Sequence, residues 1–446
     1  MRILQDPFFR TLLAVALFVS CPSWGQAQDS SGAASTPPNP RASERSIEDL
    51  NRVGAETAMP PFAESPISID SGFRQKLFSE GVALRSQLTV MYAQNTLEAP
   101  VPADMQSYVG EYPFESVMHN WTFTADLRQM HLKHAELYVC GGWYWVSWNR
   151  AGPKAFQMHT MYLYKAFADG RVEVKAGYIG NNMEVIGLSV GGSLTTAAQG
   201  VYAVLPYEVG VSNFPLTAPS FNLRIKGPKH TYLLTVAQRS IDPQGGPAEA
   251  ERNHTGFRFI PHGDKLLLFG ETGYQRSASA TAHDTWFRAG YLHNSTPFTN
   301  LTTGAAQSGN HSEFVLMDYQ LRKSNSLQPG QGLYLGGTAM AADSRFDGYD
   351  NYYELRLYQK APFRSRPFDM ASLVSYYSGH SRELTDSLVA QRKAVWRASA
   401  SLSGSYSLRV HPGQYMRIGL SYIHGPAITP RVSDAVTFST NYQFFF

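Results

Sequence analysis

The chain ends on Val436-Thr437-Phe438-Ser439-Thr440-Asn441-Tyr442-Gln443-Phe444-Phe445-Phe446. Val436, Phe438, Tyr442, Phe444 and Phe446 share one parity, and Thr437, Ser439, Asn441 and Gln443 the other. Residues two apart on a strand point to the same face, so this strand has an apolar, aromatic face and a polar one. A soluble edge strand ending in three phenylalanines would be an aggregation hazard. The pattern suits a wall with lipid on one side and water on the other.

The same alternation recurs upstream. Val82, Leu84, Leu88, Val90 and Tyr92 oppose Arg85, Gln87 and Thr89; Trp121, Phe123, Ala125 and Leu127 oppose Asn120, Thr122, Thr124 and Asp126. Met416, Ile418, Leu420 and Tyr422 likewise oppose Arg417 and Ser421. Within a bilayer every backbone N–H and C=O must find a partner in the protein, so such strands have to close into a barrel. Asp169-Gly170, Gly227-Pro228-Lys229 and His411-Pro412-Gly413 read as tight hairpins facing the periplasm. Long Gly/Ser/Pro-rich stretches at Asn95–Val117, Gly180–Pro219, Ser240–Arg258 and Ser295–Ser312 fit extracellular loops. Seventeen segments qualify as strands, but two chain ends on one side of the membrane require an even number. Gly256–Ile260 is too short, since spanning takes roughly 9 to 11 residues. The expected fold is all-β: a transmembrane antiparallel up-and-down β-barrel of 16 strands, with short periplasmic turns and long extracellular loops.

Composition agrees. Charged residues are 16% and aromatic residues 13% of the 446, against roughly a quarter charged in soluble domains. A net charge of +3 without a basic run excludes nucleic acid as a partner. Arg2 and Arg10, an apolar Leu12–Ser20 and small residues around Gly25 and Ala27 form a secretory signal. Cleavage is expected near Ala27 or Gln28. The run is too short for an anchoring helix, which needs about 20 residues. Phe18-Val19-Ser20 makes a poor lipobox for lipidation of Cys21. Cys140 then remains as the lone mature cysteine, read as a small strand residue. The expected organisation is a signal peptide over 1–27, a disordered periplasmic leader over 28–72 and the barrel over 73–446. Ser46–Ala55 and Phe73–Phe78 are the leader region's candidate helices.

The C-terminal strand looks like the sorting signal by which the outer-membrane assembly machinery reads its barrels, with Phe446 as the contact. Over Phe73–Phe446 the chain resembles the carbohydrate-selective porins of the OprB type. The resemblance is carried by Leu77-Phe78-Ser79-Glu80-Gly81-Val82, the run Asp169-Gly170-Arg171-Val172-Glu173-Val174-Lys175-Ala176-Gly177-Tyr178, Gly270-Glu271-Thr272-Gly273-Tyr274, Ala289-Gly290-Tyr291-Leu292-His293-Asn294, and Arg366-Pro367-Phe368-Asp369 before the strand Ser372–Tyr377. It implies a 16-stranded barrel in the outer membrane through which small, mostly neutral sugars such as glucose diffuse, with no catalysis and no cofactor. The chain departs from the family's usual pattern at Ala125–Met130, where charges are swapped, and along Met158–Phe167.

Passage of sugar needs many weak polar contacts, favourable enough to enter and weak enough to leave. Parity places Arg85, Asp126, Glu136, Glu173, Lys175, Arg224, Lys226, Glu271, Glu354, Arg356 and Arg417 on the lumen side. The pore-lining set expected to matter is Arg85, Glu173, Lys175, Arg224, Glu271 and Arg417. Glu173, Lys175 and Arg224 lead, because their strands flank the Gly180–Pro219 loop. That loop carries Asn181, Asn182 and Glu184 and can bend at Gly191-Gly192 into the pore. Trp143 and Trp145 have the parity of an interfacial belt. His131 and His134 sit in a turn without companions for a metal site, and Gly187-Leu188-Ser189-Val190-Gly191 lacks the strand-to-helix context of a nucleophile elbow. An adhesin or enzyme acting through the long loops is the alternative reading.

Overall fold

The structure, a computed structural model, describes residues 60–446 apart from 67–71, 99, 103–104, 149–155, 186–203, 261–263, 326 and 430–432. The expected signal peptide, most of the leader, the Ser46–Ala55 helix and the Gly187–Gly192 motifs lie outside the described residues.

Sixteen strands form one closed antiparallel barrel. They are β1 (Val82–Asn95), β2 (Phe114–Asp126), β3 (Ala135–Val146), β4 (Phe156–Phe167), β5 (Val172–Ile179), β6 (Ala218–Lys226), β7 (Thr231–Arg239), β8 (Leu266–Arg276), β9 (Thr285–Asn294), β10 (Asn310–Lys323), β11 (Gly332–Ala342), β12 (Tyr349–Lys360), β13 (Met370–His380), β14 (Ala398–His411), β15 (Gln414–His424) and β16 (Asp434–Phe445). Each pairs with its neighbours in sequence, and β16 closes on β1 with Leu88 opposite Phe444. The seam is fastened by Phe446 N–H donating to Ser86 O at 2.9 Å and Ser86 N–H donating to Phe446 O at 2.7 Å. Closure leaves no strand edge for lipid to strand without hydrogen bonds. Gly256–Ile260 is irregular and belongs to the β7–β8 loop.

Parity decides the two faces. Phe123, Leu163, Phe221, Leu233, Leu268, Tyr291, Leu355, Leu402 and Leu420 are exposed on the outside, where a bilayer takes the place of water. Trp143 and Trp145 share that face; Trp143 meets Trp121 edge-on at 5.0 Å and Phe156 at 5.3 Å. Cys140 is buried on the inner face in a cluster with the stacked Tyr138 and Tyr162.

The hairpins at Asp169-Gly170, Gly227–Lys229 and Pro412-Gly413 lie at one end, the turn end, together with the β2–β3 turn that holds His131 and His134. At Gly413 the backbone is left-handed (φ 71°), and a Cβ would fall 2.8 Å from Pro66 and 2.7 Å from Phe445 O. Only glycine fits such a site without strain. The opposite, loop end carries the four long connections expected. A fifth, 381–397, contains the helix Arg382–Ala390, capped by Ser381 Oγ accepting from Leu384 N–H at 3.2 Å. Lacking Gly and Pro, it has no compositional loop signature.

Gly72–Ser79 is helical, in line with the helix expected at Phe73–Phe78. Before it, within the stretch expected as disordered leader, Phe62–Glu64 forms a 3-10 turn. Phe62 is buried with Ala83, and Glu64 forms an ion pair with Arg409, 2.7 Å from its Nε, and accepts from Tyr415 O–H at 3.3 Å. The described part of that leader is thus ordered against the inner wall at the turn end.

Candidate functional site

The lumen is divided by the β5–β6 loop, described over 180–185 and 204–217. Two short helical turns, Asn182–Val185 and Val204–Glu208, bring Val185, Leu205, Val209 and Val211 onto an apolar patch of the inner wall formed by Leu234, Val236, Leu267, Phe269, Leu292, Phe314 and Leu316. Each such side chain fully buried contributes roughly 1.5–3 kcal/mol. Period-two reading assigns the lumen to polar residues, and here it differs from the structure. The signal was present: Leu266-Leu267-Leu268-Phe269 and Leu233-Leu234 are apolar on both parities, as in strands buried on both faces.

Polar contacts lock the loop in place. Arg288 Nη1 donates to Val185 O at 2.6 Å and lies 3.7 Å from Glu271; its guanidinium stacks 3.8 Å over Trp286. Asn294 Nδ2 donates to Val209 O at 2.6 Å. Asn181 Nδ2 donates to Ser220 Oγ and Gln238 Oε1, each at 2.8 Å, and its Oδ1 accepts from Asn222 Nδ2 at 2.7 Å. Asn182 Oδ1 accepts from Phe214 N–H at 3.2 Å. At the loop end, Glu208 accepts from Tyr349 N–H at 3.1 Å, next to Asp347, which accepts from Asn310 Nδ2 at 2.8 Å. The next loop is tied down by Arg239, which meets Glu249 at 2.6 Å and Asp264 at 3.3 Å.

The six residues expected to line the pore do not form one cluster. Lys175 donates to Glu184 of the inserted loop at 2.5 Å, with Tyr162 beneath it. Glu173 instead accepts from Tyr164 O–H at 2.8 Å and from Lys226 at 3.1 Å. Arg224 donates to Gln275 at 3.0 Å and lies 4.1 Å over Tyr232, whose hydroxyl donates to Glu271 at 2.7 Å. Arg85 lies elsewhere, 4.0 Å over the Phe62 ring. Arg417 stands on the wall formed by β14 to β16, half-buried, with Ser407 and Asn441 opposite it on the two adjoining strands. Glu354 and Arg356 pair with each other, and Arg356 also meets Asp318 at 2.9 Å. Sequence reading did not single out Arg288 or Asp318, because nothing local distinguishes a charge that meets a loop from one that meets water.

Most inward charges of β4 to β12 are therefore neutralised by a neighbour. Inward positions that stay partly exposed include Met91, Thr122, Ser405, Arg417, Ser439 and Asn441, on β1, β2 and β14 to β16. These partly exposed groups face the lumen on this side, whereas Ser399, Ser401, Ser403, Ser407 and Ser421 of the same wall are buried. Inward positions of β14 are serine at Ser399, Ser401, Ser403, Ser405 and Ser407, linked to β13 and β15 by Ser372–Ser405 at 2.7 Å and Ser403–Ser421 at 2.8 Å.

Among curated proteins no relative matches the chain by sequence. Among solved structures, the high-pH form of Pseudomonas putida OprB is similar with a TM-score of 0.70 at 16% identity, over 84% of this chain and 96% of that one. The low-pH form of the same porin gives 0.53 at 13% identity, over 86% and 98%. At such identities the likeness speaks for the fold. The sequence family described as "Carbohydrate-selective porin, OprB family" matches residues 89–446, most of the chain and nearly the whole barrel. With the barrel closed, its outer face apolar and its lumen narrowed by an inserted loop, the chain belongs to the carbohydrate-selective porins of the OprB family, proteins of the bacterial outer membrane that pass sugars and are not enzymes.

Proposed function

We propose that the barrel passes small neutral sugars, monosaccharides such as glucose, by passive diffusion between the inserted β5–β6 loop and the wall of β14 to β16, with no chemical step. The observation that carries this reading is the pairing of lumen charges on the loop side against a hydroxyl- and amide-lined passage on the other. A neutral solute then exchanges water hydrogen bonds for wall hydrogen bonds at little net change, which lets it both enter and leave. Liposomes holding the refolded protein should swell several-fold faster in glucose than in a disaccharide or a cationic solute of matched size. A folded barrel giving neither swelling nor conductance would overturn the reading in favour of an adhesin or enzyme working through the loops.

We further infer that residues 1–27 are removed on export and that Phe446 is read by the assembly machinery. Phe446 faces outward beside Phe444, with ring centroids 4.9 Å apart. Deleting Phe446 should lower the amount of barrel recovered from the outer membrane, while the same chain refolds in detergent with its usual heat-modifiable mobility. Equal recovery of the two forms from cells would refute the role.

A further inference from the structure

We propose that Arg417 and the serine column of β14 form a subsite for sugars that carry a carboxylate, so that the passage admits sugar acids beside neutral sugars; this rests on the porin reading above. The argument begins with charge. Lys175, Lys226, Arg288, Arg356 and Arg409 each meet a carboxylate, whereas Arg85, Arg224 and Lys360 lie over aromatic rings. Arg417 has neither kind of partner among the described residues, and it is half-buried on the water-accessible wall. Its guanidinium cannot lose its proton in any ordinary pH range, so it leaves one uncompensated positive charge in the pore.

The surroundings fit a polyol bearing an acid group. Inward side chains recur every second residue, so Ser399 to Ser407 span about 26 Å along the wall. Ser407 sits in register with Arg417, and its buried hydroxyl oxygen has no hydrogen-bond partner among the described residues. Asn441 flanks Arg417 from the other strand. A planar guanidinium takes a carboxylate through two parallel hydrogen bonds, leaving the sugar's hydroxyls to Ser405, the partly exposed member of the serine column, and to Ser439 and Asn441. No bond is made or broken: the solute binds, is released, and moves on.

At about 7 Å in a water-like medium one unit charge is worth about RT, which corresponds to about a threefold enrichment of a monovalent anion. The test compares the wild type with R417Q, R417K and S405A in proteoliposomes, using glucose, gluconate and acetate, with heat-modifiable mobility as the check on folding. The ratio of gluconate entry to glucose entry should fall about threefold in R417Q and persist in R417K. S405A should reduce the entry of gluconate relative to acetate. The proposal is overturned if R417Q leaves gluconate entry unchanged, if R417Q slows glucose as much as gluconate, or if acetate and gluconate respond identically to every variant. A wild-type barrel that passes none of the three solutes would instead sink the porin reading itself.

Discussion

Replacing Arg288 with alanine is expected to release the β5–β6 loop from the wall and open the pore. Arg288 is fully buried, and it holds Val185 O at 2.6 Å while facing Glu271 at 3.7 Å. Truncation removes the guanidinium from beside the buried Glu271 carboxylate and leaves Val185 O without this donor. Removing one partner of a buried pair is destabilising by about 3–5 kcal/mol, comparable with the burial of two or three apolar side chains. Those are the side chains that seat the loop. Single-channel conductance should therefore rise in R288A, and disaccharides should enter liposomes that the wild type excludes. The barrel should survive, because its ladder of backbone hydrogen bonds does not use the Arg288 side chain. Unchanged conductance in a folded R288A barrel would show that the apolar contacts hold the loop by themselves.

Raising the pH should loosen the same loop at its outer attachment. Glu208 and Asp347 are buried side by side beyond the spanning strands, and desolvation raises both carboxyl groups, Glu208 from 4.5 to about 7 and Asp347 from 3.8 to about 9. Backbone N–H groups of Tyr349 and Gly348 partly offset this at Glu208, as Asn310 does at Asp347, while the Glu208 carboxylate further disfavours ionisation of Asp347. The nearby Asp343 is held below the usual carboxylate range by Arg345, with His311 3.5 Å away, so it does not titrate with the pair. An acid whose pKa is higher in the docked loop than in the free loop stays protonated longer when docked. Docking is then strongest below about pH 4 and weakens upward, through about pH 7 for Glu208 and about pH 9 for Asp347. Each ionising group shifts the equilibrium about tenfold per pH unit inside its window. Conductance should climb between pH 5 and 9 in the wild type and stay nearly flat in the double variant E208Q/D347N. Parallel profiles for the two proteins would show that the pair does not control the loop.

Both predictions concern one loop, which the sequence marks only in outline. Its Gly-rich stretch suggests bending into the pore, and Lys175 meets Glu184 as flanking strands allow. Glu173 and Arg224 belong to other pairs, with Lys226 and Gln275, since a strand's parity says which face a side chain occupies and not what it meets across the barrel. Arg85 shows the same limit: its cover is Phe62, which sits in a stretch whose composition reads as disorder. The family adds the kind of solute, and the inner wall adds where that solute can pass.

From the sequence alone came the barrel itself: 16 strands, their inward and outward faces, the tight hairpins and the aromatic closing strand. These follow from a period of two and from the bilayer's demand that every backbone group be paired, both of which are local or global rules that need no knowledge of contacts. Only the tertiary structure decided which lumen charges are spent on one another, where the β5–β6 loop is seated, and that Arg417 stands beside the serine column without a counter-charge among the described residues. Those facts depend on side chains brought together from distant strands across a closed wall, as Val185 is to Arg288, and no pattern along the chain encodes such a meeting.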